Sequence, residues 1–529
     1  MDHRICDVLV IGSGAAGLRA AAAAKQAGAR VLIVSRGAPG KASATIVSGG
    51  VFAGSRDDES TGGHLERTLL AGRGLNERAL AEILAEEAPA RLKELVAWGF
   101  DASFHNGYLF SRGRAPIWGE KIIRCLVDRN LALGSGFQSG LAVADIRVVE
   151  GVGLVTGYAT ATGRQQSIGA RAVVLATGGA GGLYARHDNP RGIVGEGYAL
   201  ALRAGALLQD MEFVQFYPLG LAEPGLPRYM VPPRLGDYGR LYNDAGEDIY
   251  EKYGIAERPA AEKARDRLSQ ALFREIYREG RVVWLDLSGV SEARWMSDPL
   301  SASTLGTIGK RCGACRRPLR VAPMAHHTMG GVVIDGRGAT SVPGLFAAGE
   351  VAGGLHGANR MGGNALSETL VFGKRAGEAA AEWAGAHAKI ALKEAGEFSQ
   401  TPAGGPAAAG AASNVSALWL RLGNILWEDG GIIRNREGLE RALHAAAAME
   451  AELQASADGA AASGPARVLS LKAGIEVAQL ILQAALRRTE SRGAHFREDY
   501  PATDDRRWLG HHRVQLSKDG NRDWSFTKL

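Results

Sequence analysis

The stretch Cys6-Asp7-Val8-Leu9-Val10-Ile11-Gly12-Ser13-Gly14-Ala15-Ala16-Gly17 decides the fold class. Its apolar run to Ile11 predicts a buried strand, and the alanine-rich run Leu18–Gly28 predicts a helix. Glycines at positions 12, 14 and 17 allow a tight turn, the approach of a pyrophosphate and close packing of the helix. A second apolar run, Arg30–Val34, follows at the spacing of a βαβ unit. These features predict a Rossmann-like domain that binds a dinucleotide.

The end of the second predicted strand departs from the usual dinucleotide-binding pattern. A ribose-binding acid is expected there, but the chain has Ser35-Arg36. The Ser35 hydroxyl can still hydrogen-bond a ribose hydroxyl. From these residues alone, the identity of the dinucleotide stays open.

Two further glycine-rich stretches contain candidate ligands for a carboxylate. His326 and His327 lead into Gly330-Gly331, and Arg360 lies between glycines in His356–Leu366. A guanidinium is a permanently charged fork that matches a carboxylate, and nearby glycines let the backbone approach a flat ligand closely. Each stretch alone could equally be a structural turn with a structural histidine or a surface arginine.

Taken in order, the motifs resemble the flavoprotein family of fumarate reductase, succinate dehydrogenase and L-aspartate oxidase. The matches run from residue 5 to about residue 511, in the family's order. They are Gly12–Gly17, Ala176–Gly179, Asp210–Phe216, His326–Gly331, Glu350, His356–Leu366 and Glu490–Pro501. The resemblance implies an FAD-dependent oxidoreductase.

The predicted fold class is α/β, with a Rossmann-like FAD-binding domain interrupted by an α+β capping domain and followed by a C-terminal helical bundle. The FAD-binding domain takes residues 1–217 and 322–388, and the capping domain, which closes over the cofactor, takes 218–321. A low-complexity linker of residues 389–413 precedes a C-terminal helical domain and tail of residues 414–529. Within it, Val415–Trp427, Arg436–Ala455 and Val468–Thr489 have helical apolar spacing.

The resemblance also implies which residues hold FAD. Succinate dehydrogenases have a histidine that bonds to the flavin six residues before Gly49-Gly50, and this chain has Ser43 there. We therefore expect non-covalent FAD. The predicted cofactor-binding residues are Gly12, Gly14, Ala15, Ala16, Gly17, Ser35, Arg36, Ser43, Thr45, Gly49, Gly50, Ala176, Thr177, Gly178, Asp210, Glu350, Asn364, Ala365 and Leu366.

Arg265, His326 and Arg360 are the catalytic residues that the resemblance implies. His326 and Arg360 match the pair that binds one substrate carboxylate. Arg265, in an Arg-Asp dipeptide, matches the arginine that donates a proton to the substrate. The alternative for Arg265 is an ion pair with acids on a helix face. Donation requires a desolvated, strongly cationic site, because the ordinary pKa of arginine lies above about 12.

The segment that binds a second carboxylate in the family is altered here. The family has Gln-Phe-His-Pro-Thr where this chain has Gln215-Phe-Tyr217-Pro-Leu219. Downstream, a Thr-Glu-x-x-Arg segment is replaced by Met230-Val-Pro-Pro-Arg234. Tyr217, Arg234, His326 and Arg360 are the predicted substrate residues. The changes favour a small carboxylic acid with one carboxylate and a less polar or bulkier far end.

Composition narrows the class of protein. The 529 residues carry a net charge of +6, and no basic run alternates with aromatics, so nucleic acid is not an expected partner. The first strand leaves no room for a secretory signal, and no apolar run of membrane-spanning length is evident. We expect a cytoplasmic enzyme with no membrane span and no bound metal.

Cys312-Gly-Ala-Cys315 leaves three alternatives open: inert thiols, a redox-active dithiol or half of a shared metal site. Two functional alternatives also stay open beside a reductase of the fumarate reductase type. One is an L-aspartate oxidase. The other is a flavin subunit that passes electrons to an iron–sulfur or other electron-transfer partner protein.

Overall fold

A computed structural model describes residues 3–54, 61–112, 118–149, 151–388, 410–455 and 464–529. Most of the predicted linker, residues 389–409, lies outside the described residues. Residues 410–413, the rest of that linker, begin the helix Gly410–Glu428 instead.

The largest sheet of the described residues has the predicted βαβ unit at its centre. His3–Ile11 pairs in parallel with Val31–Ser35 and with Gln165–Leu175. Gly136–Ser139 extends one edge in parallel, and Leu345–Ala347 also pairs in parallel with Gln165–Leu175. Antiparallel strands Val152–Ala159 and Leu141–Val149 complete the sheet. The Rossmann-like prediction is thereby confirmed.

Glycines allow the first helix, Ala15–Gln26, to pack directly on its neighbours. Gly12 has φ of +114°, and a Cβ there would lie 2.1 Å from the Ala176 carbonyl oxygen. A Cβ on Gly17 would lie 2.0 Å from the Gly12 carbonyl oxygen. The long helix Asn364–Ala386 packs along the first helix, so the glycine turn and the Arg360 loop lie at the same end of the sheet.

A second sheet, wholly antiparallel, carries the predicted capping region. Its strands run in the order Val214–Leu221, Leu319–Thr328, Val283–Asp286 and Arg240–Asn243. The two outermost segments in sequence, Val214–Leu221 and Leu319–Thr328, pair with each other. The residues between them therefore leave and re-enter the fold at adjacent points.

The helix predicted over Ala260–Glu279 is wrong in one respect: it is broken. The chain forms Ala260–Lys263, breaks at Ala264 with φ of −122° and ψ of 32°, and resumes as Arg265–Phe273, followed by a π-type turn at Arg274–Arg278. Alanine favours helix, so local propensity does not explain the break. The break puts Arg265 in the first turn of the new helix, where it is buried.

The C-terminal region contains the three predicted helices, Gly410–Glu428, Arg436–Ala455 and Pro465–Arg487. It ends in a hairpin, Gly510–Leu516 with Arg522–Lys528, which pairs with Leu208–Gln209 of the first half of the chain. The helix Pro465–Arg487 is long and apolar enough to span a membrane by length and composition, contrary to expectation. Because 67% of its most apolar window is buried, it fits the core helix of a folded domain.

The other helices and strands connect these units. A three-stranded sheet consists of Val51–Ala53, Tyr108–Ser111 and Ala102–His105, and Gly331–Val332 pairs with Leu208–Gln209. The remaining helices are Ala44–Val47, Thr61–Ala71, Arg78–Ala97, Trp118–Ala132, Glu196–Arg203, Pro233–Tyr238, Ile249–Lys252, Glu292–Trp295, Pro299–Thr304 and Asp505–Trp508, with a 3-10 turn at Gly181–Leu183 and a π-type helix at Leu305–Arg311.

Candidate active site

One elongated cavity of about 1660 Å³ connects the glycine turn to the predicted substrate residues. Its wall is formed by the turn after the first strand, the loop of residues 35–51, the capping region and the Arg360 loop. This volume and shape suit a ligand with a nucleotide at one end and a second ring at the other.

The glycine turn has the features that a bound pyrophosphate requires. The first helix is twelve residues long and its first turn contains no acid, so its N-terminal N–H groups offer partial positive charge. A Cβ on Gly14 would lie 3.3 Å from the Ser43 Cβ and would narrow the cavity. Thr45 Oγ1 accepts a bond from Ala15 N at 3.2 Å and fixes the facing loop. These residues therefore fit the FAD that the sequence implies.

The predicted ribose end has its own polar groups. Arg36 forms an ion pair with Glu196, and both line the cavity. The Ser35 hydroxyl donates to the Gly37 carbonyl at 2.8 Å, which orients the turn. Glu196 thus supplies a carboxylate on this wall, where sequence reasoning had found no acid.

Most of the predicted cofactor residues line this cavity. Those on its wall are Gly12, Gly14, Ala15, Ala16, Ser35, Arg36, Ser43, Thr45, Gly49, Gly50, Ala176, Thr177, Gly178, Glu350, Ala365 and Leu366. Gly17, Asp210 and Asn364 lie behind the wall.

Internal contacts account for two of the three residues behind the wall. Asp210 accepts a bond from His511 Nδ1 at 2.5 Å, which ties it to the C-terminal hairpin. Asn364 bonds His64 Nε2 at 2.8 Å and Thr68 Oγ1 at 2.9 Å. Both hold elements that carry the wall. Gly17, the third, provides the close helix packing described above.

Arg360 is buried against the cavity with part of its hydrogen-bonding capacity unused. Its Nη2 donates to Gln215 Oε1 at 3.0 Å and its Nη1 to the Met361 carbonyl at 3.1 Å, while Nε has no partner among the described residues. Burial, followed by repulsion from Arg265, lowers the pKa of Arg360 to about 9. An anion placed here would relieve both effects.

His326 reaches the same cavity and is oriented by a residue that the sequence reasoning missed. Its Nδ1 donates to Asp188 Oδ2 at 2.6 Å. Because a carboxylate only accepts, the proton sits on Nδ1, and Nε2 is left for another partner. Asp188 itself lines the cavity. In the sequence it is one acid in a loop, and no motif marked it.

Arg265 completes the cationic group. It is 6% exposed, its Nε donates to the Ala261 carbonyl at 3.3 Å, and its Nη1 has no partner among the described residues. Burial lowers the pKa of Arg265. The alternative of an ion pair on a helix face is not what the geometry gives, since no carboxylate of the described residues lies within ion-pair distance.

Tyr217 lies between the two predicted catalytic groups. Its ring centroid is 5.9 Å from that of His326 and 5.7 Å from the Arg265 guanidinium carbon. Its hydroxyl donates to the Val231 carbonyl at 2.6 Å. Burial raises the pKa of this phenol well above its ordinary value, so Tyr217 offers a neutral ring at this point of the wall.

The other residues of the altered segment divide between wall and core. Arg234 lines the cavity, with its Nε 3.5 Å from Asp298 Oδ1. Leu219 is fully buried in the capping core, away from the cavity wall. The expectation that Leu219 shapes the far end of the substrate is therefore wrong as to position.

His327 lies deeper in the same wall. Its Nδ1 is 3.5 Å from Glu350 Oε1, and burial and then Arg360 lower its pKa well below the ordinary value, which makes it neutral. His327, His356 and Glu368 have ligand atoms within 4.8 Å of one another. His356 Nε2 bonds Glu368 Oε2 at 2.9 Å, so two of these potential metal ligands already satisfy each other.

The cysteines do not converge. Cys312 and Cys315 lie in the capping core, whereas Cys6 and Cys125 lie in two other hydrophobic clusters. Burial raises the pKa of both Cys312 and Cys315, which disfavours reactive thiolates. The inert alternative is thus favoured over the redox-active dithiol.

Comparisons with known proteins fit this site. An FAD binding domain family matches residues 7–366, and the fumarate reductase flavoprotein C-terminal family matches residues 419–528. The fumarate reductase (CoM/CoB) of Methanothermobacter marburgensis has a polypeptide that is 33% identical, over 94% of this chain and 95% of that polypeptide. The L-aspartate oxidase of Streptomyces coelicolor is also 33% identical, over 97% and 92%.

Solved structures give the same assignment. A variant of the Escherichia coli quinol fumarate reductase flavoprotein has a TM-score of 0.84 at 29% identity, over 100% of this chain and 97% of that one. A quinol-fumarate reductase with menaquinol has a TM-score of 0.85 at 28% identity, over 100% and 99%. The chain therefore belongs to the flavoprotein family of fumarate reductase, succinate dehydrogenase and L-aspartate oxidase, and is an FAD-dependent oxidoreductase of that family.

Proposed function

We propose that this enzyme reduces the carbon–carbon double bond of an α,β-unsaturated carboxylic acid. The observation that carries the proposal is the convergence of Arg360, His326 and Arg265 on one cavity that continues to the glycine turn. Bound FAD supplies the hydride.

The three side chains have separate tasks. Arg360, with one N–H unused, and His326, held by Asp188, bind the carboxylate and draw electron density from the double bond. Arg265 provides the proton that completes the addition. A lowered pKa is what a guanidinium needs for proton transfer, and its burial supplies this. Closure of the capping region keeps water from these groups.

The flavin attachment is proposed to be non-covalent. Ser43 lies on the cavity wall, and its hydroxyl donates to the Gly40 carbonyl at 2.7 Å. The chain has no histidine at this position to form a flavin bond. Within this family, a non-covalent flavin favours reduction of the acid, or oxidase chemistry, over oxidation of succinate.

The second candidate is an L-aspartate oxidase, which the 33% identity to the Streptomyces coelicolor enzyme supports. Aspartate has two carboxylates and an amine. Tyr217, whose hydroxyl is committed to Val231, gives the wall a neutral ring where a second carboxylate clamp would be needed. This observation places the oxidase second.

The source of electrons is proposed to be a separate protein, such as one that carries iron–sulfur clusters. The chain has four cysteines, and none of its sequence matches a haem attachment motif or a second nucleotide-binding module. The similarity to quinol fumarate reductase flavoproteins supports such a partner.

Anaerobic mixing tests the proposal. The FAD-loaded protein is photoreduced and mixed separately with crotonate, fumarate, iminoaspartate and oxygen, and flavin absorbance is followed with product analysis. We expect an enoic acid to reoxidise the flavin with one saturated acid formed per flavin. Reoxidation by oxygen alone, together with oxidation of aspartate by the oxidised enzyme, would establish the oxidase instead. Reoxidation only by one-electron acceptors would leave an electron-transfer role.

A further inference from the structure

Two arginines at the cavity wall have no acidic partner. Other charged residues there are paired: Arg36 with Glu196 and Arg234 with Asp298. Arg191 and Arg228 line the cavity but form no ion pair with any described residue. The cavity therefore offers cationic charge beyond that of Arg265 and Arg360.

These two arginines flank a backbone segment that runs beside the predicted substrate site. Ala325 N donates to the Arg186 carbonyl at 2.8 Å, and Asp188 N donates to the Ala325 carbonyl at 3.2 Å. His187 therefore lies opposite Ala325, the residue before His326. Arg228 Nη1 donates to the Ala185 carbonyl at 2.9 Å, which holds the capping loop against this segment.

Polar atoms without partners are concentrated at the same place. His187 Nδ1 and Arg186 Nη2 are buried and have no hydrogen-bond partner among the described residues. Burial, followed by repulsion from Arg228, lowers the pKa of His187. A buried polar atom without a partner is costly, so the arrangement is one that an anionic ligand would stabilise.

We propose that Arg228, Arg191 and His187 form a second anion subsite, which binds a remote negatively charged group of the substrate. The inference rests on the proposed function, in which Arg360 and His326 bind the first carboxylate. Tyr217 lies against His326 and fills the adjacent space with a neutral ring. The second anion therefore sits farther along the chain than in a four-carbon dicarboxylate, and the substrate class is a longer dianionic 2-enoic acid.

The physical basis is an incompletely neutralised wall. Arginine side chains bind carboxylate, phosphate and sulfonate through the same forked donors, so the subsite specifies charge and position. Because Arg191 and Arg228 are solvent-exposed, each contributes a modest amount, and added salt weakens it. The pair also attracts anions toward the cavity before binding.

A binding series tests the subsite without requiring turnover. Adipate and hexanoate have the same length and differ by one carboxylate. Each is titrated into the oxidised FAD-loaded protein, with the flavin difference spectrum as readout. We expect adipate to bind about ten-fold more tightly, as two arginine contacts of up to about 1 kcal/mol each allow. Arg228→Gln with Arg191→Gln removes that preference and leaves hexanoate binding unchanged.

Arg316→Gln is the matched control, because Arg316 is an exposed arginine of the capping region that does not line the cavity. It leaves the preference for adipate intact. Equal binding of the two acids by the wild type, or a preference that survives the double substitution, would overturn the subsite. Trans-2-hexenedioate and trans-2-hexenoate separate the two proposals: if both reoxidise the flavin equally well, the subsite fails. If neither does but adipate is still preferred, the reductase fails.

Discussion

Replacing Arg360 with lysine tests the carboxylate clamp, because it keeps the charge and removes the fork. Arg360 is 6% exposed and anchored by Gln215 and Met361, which leaves its remaining N–H capacity for a ligand. Lysine presents a point charge and cannot form two parallel bonds to one carboxylate. One lost charge-assisted hydrogen bond costs about 1.5–3 kcal/mol. At about 1.4 kcal/mol per factor of ten, carboxylate binding weakens by about ten- to a hundred-fold.

The assay is equilibrium titration of the oxidised protein with butyrate, followed by the flavin difference spectrum. Flavin content is measured first, because Arg360 lies on the same wall as the predicted cofactor residues. Arg375→Lys is the control: Arg375 pairs with Glu87 on the long helix that follows the Arg360 loop, away from the cavity. Unchanged butyrate affinity in Arg360→Lys, at full flavin content, would refute the clamp.

Three further predictions concern residues that support the site. Asp188→Asn removes the acceptor that orients His326, so we expect substrate KM to rise about ten-fold at constant flavin content, as measured by steady-state kinetics. Burial raises the pKa of Glu350 from 4.5 to about 7, so the folded state binds a proton more tightly than the unfolded chain. Stability of the apoprotein should therefore fall as pH rises from about 4.5 to 7, and Glu350→Gln should remove this part of the pH dependence in urea unfolding. Arg488→Ala leaves Glu212 buried without its partner at 2.5 Å, and the free energy of unfolding should fall by about 3–5 kcal/mol.

Local pattern predicted the nucleotide end of the fold. A buried strand, three glycines and an alanine helix form a self-contained unit, because the turn and the helix packing depend on residues within a few positions. The meeting of Arg360, His326 and Arg265 could not be read from spacing. It was inferred from resemblance, and the three side chains do share one cavity.

Sequence reasoning failed where a residue's role depends on a distant partner. Asp188 bonds a histidine 138 positions away, so no local pattern identifies it. Asp210 resembled a cofactor ligand, yet His511, 301 positions away, takes its carboxylate. The break at Ala264 opposes helix propensity, and packing of Arg265 into the core accompanies it. Such features are set by tertiary contacts, which override local preference.

The most direct test of the account is a single-turnover comparison of photoreduced wild-type and Arg265→Gln proteins. Each is mixed anaerobically with saturating enoic acid that the wild type reduces, and saturated product is quantified. The account predicts that the substitution slows product formation at saturation by about a hundred-fold or more, since the proton donor is gone, while flavin content stays full. Product formation by Arg265→Gln at the wild-type rate would contradict it.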